Sequence, residues 1–196
     1  MQGRLVAKNL SCQRGGRLLF AGVSFELGAG DALHVTGANG IGKSSMLRQL
    51  AGLLPAFSGD IERSGSLALL DERLALDEHA SLAKALEFWE QVDGCKDPRP
   101  ALDAMGITDL LDIPVRYLST GQRKRATFAR LLNSSSDIWL LDEPLNGLDT
   151  NAQEAVEAEI VRHCADGGIC IAASHQAIAL PGEADENTLP LAEFTP

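Results

Sequence analysis

Short apolar runs alternate with longer amphipathic segments along most of the chain. The short runs are rich in β-branched and aliphatic residues and follow turn residues, which is typical of β-strands. The longer segments carry apolar residues three and four positions apart, which predicts α-helices. The predicted strands are Arg4–Ala7, Val23–Leu27, Ala32–Thr36, Leu67–Leu70, Ile138–Leu141 and Ile169–Ala173. The predicted helices are Lys43–Leu53, roughly Glu78–Val92, Gln122–Leu132 and Ala152–His163.

The order of these elements predicts an α/β fold with a mostly parallel sheet, because strands and helices alternate over most of the chain. Ile138–Leu141 and Ile169–Ala173 are continuously apolar, as expected of central strands that are covered on both faces. The first quarter differs. Its closely spaced strands around Gly15-Gly16 and Gly28-Ala29-Gly30 predict a small antiparallel β layer. With no internal repeat, we expect a single domain over residues 1–196.

An acidic segment separates two of the predicted sheet strands. Residues 71–109 contain ten acidic and four basic side chains, and helical stretches in this region are interrupted at Gly94 and at Pro98 and Pro100. We interpret approximately residues 71–118 as a helical subdomain inserted into the α/β core, not as a separate domain. The negative charge of the segment is typical of a solvated helix surface.

The composition is that of an ordinary folded domain. Of 196 residues, 45% are hydrophobic and 22% charged, and the formal net charge of −10 argues against a main task of binding nucleic acid. The cysteines form no C-x-x-C pair, which favours reduced thiols over a disulfide framework or a zinc site; they are Cys12, Cys95, Cys164 and Cys170. With neither a signal peptide nor a membrane-spanning stretch in the sequence, we expect a cytoplasmic protein.

The strongest chemical signal is a glycine-rich loop between a predicted strand and a predicted helix. Gly37-Ala38-Asn39-Gly40-Ile41-Gly42-Lys43-Ser44 matches G-x-x-x-x-G-K-[ST], the P-loop. Its glycines allow a tight turn that aims backbone N–H groups at phosphates, and the helix N-terminus adds partial positive charge. Lys43 is expected to reach the β- and γ-phosphates, and the Ser44 hydroxyl is expected to bind Mg²⁺. We include Ser45 in this phosphate site.

Two adjacent carboxylates follow a strand that is predicted to be buried. Ile138–Leu141 runs directly into Asp142, which supplies a hard oxygen ligand for Mg²⁺ at the edge of the sheet. Glu143 comes next, too far along the chain to ligate the metal well. A carboxylate in this position suits a general base that orients the attacking water. The sequence therefore predicts that Asp142 holds the metal and that Glu143 activates water.

A third motif narrows the class of P-loop protein. Leu118-Ser119-Thr120-Gly121-Gln122 is locally a helix start, in which Ser119 and Gln122 form a capping box. Gly121 leaves the first turn without a side chain, so that a phosphate from outside the chain can approach the backbone. With this motif the sequence resembles the ATP-binding cassette (ABC) ATPases, whose signature is usually Leu-Ser-Gly-Gly-Gln. The resemblance covers nearly the whole chain.

Two further motifs follow in the order and spacing of that family. Pro144-Leu145-Asn146-Gly147-Leu148-Asp149 is similar to the D-loop, and the resemblance places Asp149 at the nucleotide. His175, two residues beyond Ile169–Ala173, matches the switch histidine that faces the γ-phosphate. The remaining histidines lie in no such motif and are assigned no role; they are His34, His79 and His163.

The resemblance implies an ABC ATPase core that binds ATP and Mg²⁺ between two copies of the chain arranged head to tail. The P-loop of one copy would face Ser119, Gly121 and Gln122 of the other copy. The family also implies a separate transmembrane permease as partner, and a location on the cytoplasmic face of the inner membrane. We expect no nucleic-acid partner.

The chain departs from the family pattern in two places. The family normally has a glutamine just after the strand Leu67–Leu70, whereas this chain has Asp71 and Glu72, which still offer carboxylates for Mg²⁺. The aromatic residue that usually stacks on adenine is also missing. Gln13 and Arg14 occupy its region, and Arg14 offers its guanidinium plane for stacking.

Within the family, the chain most resembles the small single-cassette subunits of haem export in cytochrome c biogenesis. The matching segments are Cys12-Gln13-Arg14, Leu19 to Phe25, Gly28-Ala29-Gly30-Asp31 and the short stretch after His175. This resemblance implies that ATP hydrolysis energises a separate membrane subunit that handles haem. Two alternatives stay open, namely a non-catalytic nucleotide-gated clamp that regulates a partner, and an ABC ATPase of another small-substrate exporter.

Overall fold

The computed structural model describes residues 3–71, 75–95, 97–182 and 187–196. The strands are β1 (Arg4–Arg14), β2 (Arg17–Leu27), β3 (Ala32–Thr36), β4 (Ser58–Ser64), β5 (Leu67–Leu70), β6 (Ile138–Asp142), β7 (Ile169–Ala173) and β8 (Thr188–Pro190). The helices are α1 (Lys43–Leu50), α2 (Leu82–Asp93), α3 (Arg99–Ala104), α4 (Thr120–Asn133) and α5 (Thr150–Ala165). Within the described ranges, no helix combines the length and the apolar character needed to span a bilayer.

The chain divides into two compact units. Unit 1 comprises Met1–Asp71, Ser136–Pro144 and Glu159–Pro196, and unit 2 comprises Glu72–Ser135 and Leu145–Ala158. Unit 2 holds most of the residues that we interpret as a helical subdomain, together with α4 and the first part of α5. That the chain acts as one functional domain stays a prediction.

Unit 1 contains the predicted antiparallel layer, with strand order β2-β1-β4. β1 and β2 are longer than the predicted strands because Gly15 and Gly16, with φ of 55° and 80°, form a tight hairpin turn. This turn pairs Arg14 with Arg17. β4 was not predicted, because its residues are mostly polar and exposed and show no apolar alternation.

Unit 1 also contains the predicted parallel sheet, with strand order β5-β6-β7-β3-β8. The bounds predicted for β3, β5 and β7 are confirmed, and β6 extends one residue further, to Asp142. β6 and β7 are buried along their whole length, as their apolar sequences indicate. β8 was not predicted, because it has only three residues and ends in Pro190.

Helix ends differ from the predictions where backbone conformation or a cap decides them. α1 stops at Leu50 and not at Leu53, because Gly52 adopts a φ of 76° and the N–H groups of Leu53 and Leu54 turn back to the Arg48 carbonyl. α4 and α5 each begin two residues before the predicted position.

The helices of unit 2 show the effect of capping residues. α2 begins at Leu82 and not at Glu78, because the Ser81 hydroxyl accepts a hydrogen bond from the Lys84 N–H at 3.4 Å. It ends at Asp93, one residue beyond the predicted Val92, and Gly94 is its C-cap, where the sequence predicts an interruption. Pro98 is the N-cap of α3, and Pro100 lies in its first turn without interrupting it, since a proline in the first turn removes no intrahelical hydrogen bond.

Candidate functional site

The glycine-rich loop connects the end of β3 to α1, which packs against β6 and β7. Gly37, Gly40 and Gly42 have φ of 146°, 80° and 123°, conformations that favour glycine. A Cβ atom on Gly42 would lie 3.1 Å from the Phe20 ring, whereas one on Gly40 would meet no atom within 4 Å. The loop is thus packed against β2 near its end and open near its middle, where a phosphate can enter.

Lys43 begins α1 and extends its side chain across the loop. Its ammonium group donates a hydrogen bond to the Gly37 carbonyl at 2.8 Å and lies 3.4 Å from Glu143 Oε1. The side chain is only 6% exposed. A buried ammonium is stable only with such partners, and both of them lie at the place where the motif predicts phosphate.

Glu143 follows β6 at the same edge of the sheet. Its N–H donates to the Ala173 carbonyl at the end of β7, at 2.8 Å. Its φ of 47° lies in the left-handed region, which non-glycine residues seldom adopt. This turn directs Glu143 Oε2 to within 2.9 Å of His175 Nδ1. Glu143 therefore bridges Lys43 and His175.

His175 is held in place by the turn that follows β7. The Ser174 N–H donates to the Val35 carbonyl at 3.2 Å, and the Ser174 hydroxyl accepts from the Gln176 N–H at 2.9 Å. Ser174 is buried, whereas the His175 side chain remains 45% exposed. The ring is thus fixed against Glu143 and still open to a ligand.

The two residues predicted to bind metal both belong to unit 1. Asp142 ends β6 and is 5% exposed, and Ser44 is exposed on the first turn of α1. Carboxylate and hydroxyl oxygens are hard donors, a combination that suits Mg²⁺ when nucleotide phosphates complete its ligands. Ser45 is oriented differently, since its side chain hydrogen-bonds to Cys12, whose thiol pKa is raised by burial.

The signature motif lies in unit 2, and the predicted capping box is confirmed. The Ser119 hydroxyl accepts from the Gln122 N–H at 3.2 Å, and Gln122 Oε1 accepts from the Ser119 N–H at 2.8 Å. A Cβ atom on Gly121 would lie 3.1 Å from the Gly147 carbonyl oxygen. The absence of a side chain at Gly121 therefore also allows the D-loop to approach α4.

Asp149 caps a helix. Its Oδ1 accepts a hydrogen bond from the Ala152 N–H at 2.9 Å at the start of α5, also in unit 2. The site residues predicted from sequence are therefore divided between the two units. The P-loop, the carboxylates and His175 lie in unit 1, and the signature and Asp149 lie in unit 2.

The two departures from the family pattern have visible structural consequences. Asp71 Oδ2 accepts a hydrogen bond from Arg48 Nη2 at 3.2 Å, so this carboxylate is already paired with a cation. Glu72 lies outside the described residues. Gln13 Nε2 donates to the Gly16 carbonyl at 3.4 Å. Arg14 is not among the described residues that line the cavity beside the P-loop; Arg17 of the same hairpin lines it.

His34 is a site residue that the sequence analysis missed. It lies on β3, and it hydrogen-bonds to the Ser174 backbone close to the charge of Glu143. Burial lowers the pKa of His34, although this hydrogen bond and the Glu143 charge act in the opposite direction. The available signal was a polar residue within the apolar strand that leads to the P-loop.

Known proteins resemble this chain over most of its length. The ABC transporter family profile matches residues 20–146. The chain is 54% identical over 176 residues to the cytochrome c biogenesis ATP-binding export protein CcmA of Novosphingobium aromaticivorans, covering 90% of this chain and 91% of that protein. The protein of the same name from Zymomonas mobilis is 52% identical, covering 97% of this chain and 86% of that protein.

Solved structures give a similarity in fold. An ABC transporter ATP-binding protein from Pyrococcus furiosus superposes with a TM-score of 0.85, and the match covers 98% of this chain and 100% of that chain. The two sequences are 21% identical, so this comparison concerns the arrangement of strands and helices alone.

Proposed function

Because this chain belongs to the ABC transporter family, we propose that it hydrolyses ATP to drive an exporter in cytochrome c biogenesis. The predicted ABC ATPase fold and the ATPase class are confirmed. The role in cytochrome c biogenesis is supported by the names of relatives that are more than half identical over most of the chain. Haem is the cargo that we propose from the resemblance in the sequence.

The observation that carries the catalytic proposal is the position of Glu143 between Lys43 and His175. Backbone N–H groups of the P-loop and the Lys43 ammonium bind the phosphates of ATP. Glu143 orients the attacking water and accepts its proton on the carboxylate. His175, at 2.9 Å from Glu143, keeps the carboxylate in orientation and supports the γ-phosphate from its exposed side.

Lys43 has a second role in this proposal. At 3.4 Å, its ammonium attracts the Glu143 carboxylate and also donates to the Gly37 carbonyl. A bound triphosphate carries more negative charge than either of these partners, so it draws the ammonium toward the loop. Glu143 then loses part of its ion pair and becomes available as a base.

Ser44 and Asp142 are the residues that we propose for Mg²⁺, since an exposed hydroxyl and a buried carboxylate supply hard oxygen ligands. When bound, the ion neutralises charge on the phosphates. The chain itself provides the remaining positive potential through Lys43 and the N-terminus of α1.

We propose that two copies close on ATP head to tail. In the capping box, the Ser119 hydroxyl accepts a hydrogen bond from the Gln122 N–H. Thr120 and Gly121 are the first two residues of α4, and their N–H groups have no acceptor within the helix. Such a helix N-terminus favours a γ-phosphate that is bound by the opposite copy. A transmembrane permease is the second proposed partner and places the chain at the cytoplasmic face of the inner membrane.

The function is tested by deleting the gene from the organism that carries it and staining for covalently bound haem in c-type cytochromes. We expect the stain to disappear, to return with the intact gene, and to stay absent with Lys43→Ala. Lys8→Ala is the matched control, since Lys8 is an exposed lysine in a surface ion pair with Glu62. Normal c-type cytochromes in the deletion strain would refute the biogenesis role.

A second assay separates hydrolysis from regulation by binding alone. The chain is purified with its membrane subunit, and phosphate release from ATP is measured. Steady release that Lys43→Ala abolishes supports the ATPase. ATP binding without release would instead support the nucleotide-gated clamp.

A further inference from the structure

The described residues that line the cavity beside the P-loop offer a nucleobase no aromatic ring. It has a volume of about 610 Å³, and its apolar wall comes from Leu18, Leu19 and Ile41, with Arg17 and Asn39 as polar neighbours. Among the described residues that line it there is no Phe, Tyr, Trp or His. Aliphatic side chains bury one face of a base, but they do not supply the stacking that an aromatic ring gives.

An exposed aromatic ring lies beside the signature motif. Tyr117 is the chain's one tyrosine, and it is 69% exposed. It ends a short 3₁₀ turn two residues before Ser119. The Tyr117 N–H donates to the Pro114 carbonyl at 2.9 Å, so the backbone that presents the ring is fixed.

The ring is also oriented by its neighbours in unit 2. The Arg116 guanidinium lies 4.8 Å from the ring centroid, and Arg116 Nη2 donates to the Tyr117 hydroxyl at 3.2 Å. Arg116 Nη1 is in turn 3.2 Å from His79 Nδ1, and the Arg116 N–H donates to the Glu78 carbonyl. An aromatic ring that is held in place and yet left in water forms a platform for a planar ligand.

We infer that Tyr117 of one copy stacks on the base of the ATP that is bound at the P-loop of the other copy. The inference rests on the proposed head-to-tail closure. In that closed dimer, Ser119 contacts the terminal phosphate. The backbone from Ser119 to Tyr117, two residues earlier in the chain, spans at most about 7 Å. The tyrosine side chain adds to this reach, so the sugar and the base lie within the distance that the ring can span. The partner copy thus supplies the aromatic ring that is missing among the described lining residues.

The first test measures dimerisation of the purified Glu143→Gln chain against ATP concentration by light scattering. In this background, Tyr117→Ala should raise the ATP concentration for half-maximal dimerisation about tenfold, the loss expected for one aromatic stack. Tyr117→Phe should restore it. Phe88→Ala is the matched control, since Phe88 is a 59% exposed aromatic residue of the same unit.

A triphosphate of the fluorescent base 2-aminopurine reports on stacking itself. We expect closure of the dimer to quench the fluorescence of the base in the parent and in Tyr117→Phe. In Tyr117→Ala, at a nucleotide concentration that makes dimerisation complete, the quenching should be weaker. Equal quenching in all three would show that the ring only supports the signature helix, and would overturn the inference. If Tyr117→Ala dimerises like its parent, the inference is wrong while the proposed dimer stands. A parent that never dimerises overturns both.

Mixed dimers test whether the ring acts across the interface. A Lys43→Ala copy is combined with a Ser119→Arg copy, so that the intact P-loop of the second faces the intact signature of the first. Tyr117→Ala in the Lys43→Ala copy should weaken ATP-driven pairing, and the same change in the Ser119→Arg copy should not. The reverse pattern would place the ring beside its own nucleotide and contradict the inference.

Discussion

Replacing Glu143 by glutamine tests the proposed base with little change in shape. The amide keeps the length of the side chain and its reach toward Lys43 and His175, at 3.4 and 2.9 Å in the native protein. It removes the negative charge and the ability to accept a proton from water. The substitution therefore separates the chemistry of the carboxylate from its packing.

The expected loss of turnover follows from the role of a general base. Positioned bases contribute about 10²–10⁴-fold to rate, which corresponds to about 3–5 kcal/mol in the barrier. ATP binding should be retained or tightened. Lys43 still donates to the Gly37 carbonyl, and it no longer shares its charge with a carboxylate 3.4 Å away. We therefore expect kcat to fall and the Kd for ATP to stay the same or decrease.

Turnover is measured by phosphate release, and binding by titration with a fluorescent ATP analogue. Glu154→Gln is the control, because Glu154 is an exposed carboxylate on α5 that the structure places in no part of the site. Turnover of Glu143→Gln within a few-fold of the parent would show that another group accepts the proton. Loss of ATP binding with normal folding would show that Glu143 belongs to the phosphate site instead.

Three further outcomes follow from the same geometry. His175→Ala should lower kcat at least tenfold with little change in KM, and an equal rise in KM would contradict its catalytic role. Burial lowers the pKa of His163, which stacks on Trp139 at 3.8 Å, so the unfolded chain binds more protons below about pH 6.5. The urea concentration at half-unfolding should therefore decrease when the pH is lowered from 7.5 to 5.5. The decrease should be smaller in His163→Phe, whose side chain cannot titrate. Equal decreases in the two proteins would refute the role of His163 in this pH dependence. Because Glu143 has a φ of 47°, the Glu143→Gly variant should be more stable to urea than the Glu143→Ala variant by about 1 kcal/mol. In a regular helix or strand, the alanine variant would be the more stable of the two.

Much of the site was predictable because its motifs are local in sequence. The P-loop requires a strand, a glycine-rich turn and a helix in direct succession, and the confirmed start of α1 at Lys43 follows from that order. The capping box of Ser119 and Gln122 spans only three residues. Short apolar runs likewise predict the bounds of β3, β5 and β7, because each run is flanked by polar residues or glycine.

The contacts that join the motifs were not predictable, because they depend on strand order. The ion pair of Lys43 with Glu143 requires β3 and β6 to lie on either side of β7 in one sheet. The contact of His34 with Ser174 also joins residues that are distant in sequence, and so it was not predictable. The same holds for the ion pair of Arg48 with Asp71. β4 was missed because exposed polar residues form it by pairing with β1 and not by burial.

The backbone at Glu143 connects the fold to the proposed chemistry. A left-handed conformation costs a non-glycine residue about 1–2 kcal/mol, and it persists only where surrounding bonds enforce it. Here the Glu143 N–H is fixed to the end of β7 at 2.8 Å, so the chain must turn immediately after β6. A regular continuation of β6 would place successive side chains on opposite faces of the sheet. The strained turn instead brings the carboxylate between Lys43 and His175, which explains why the site retains it at the expense of stability.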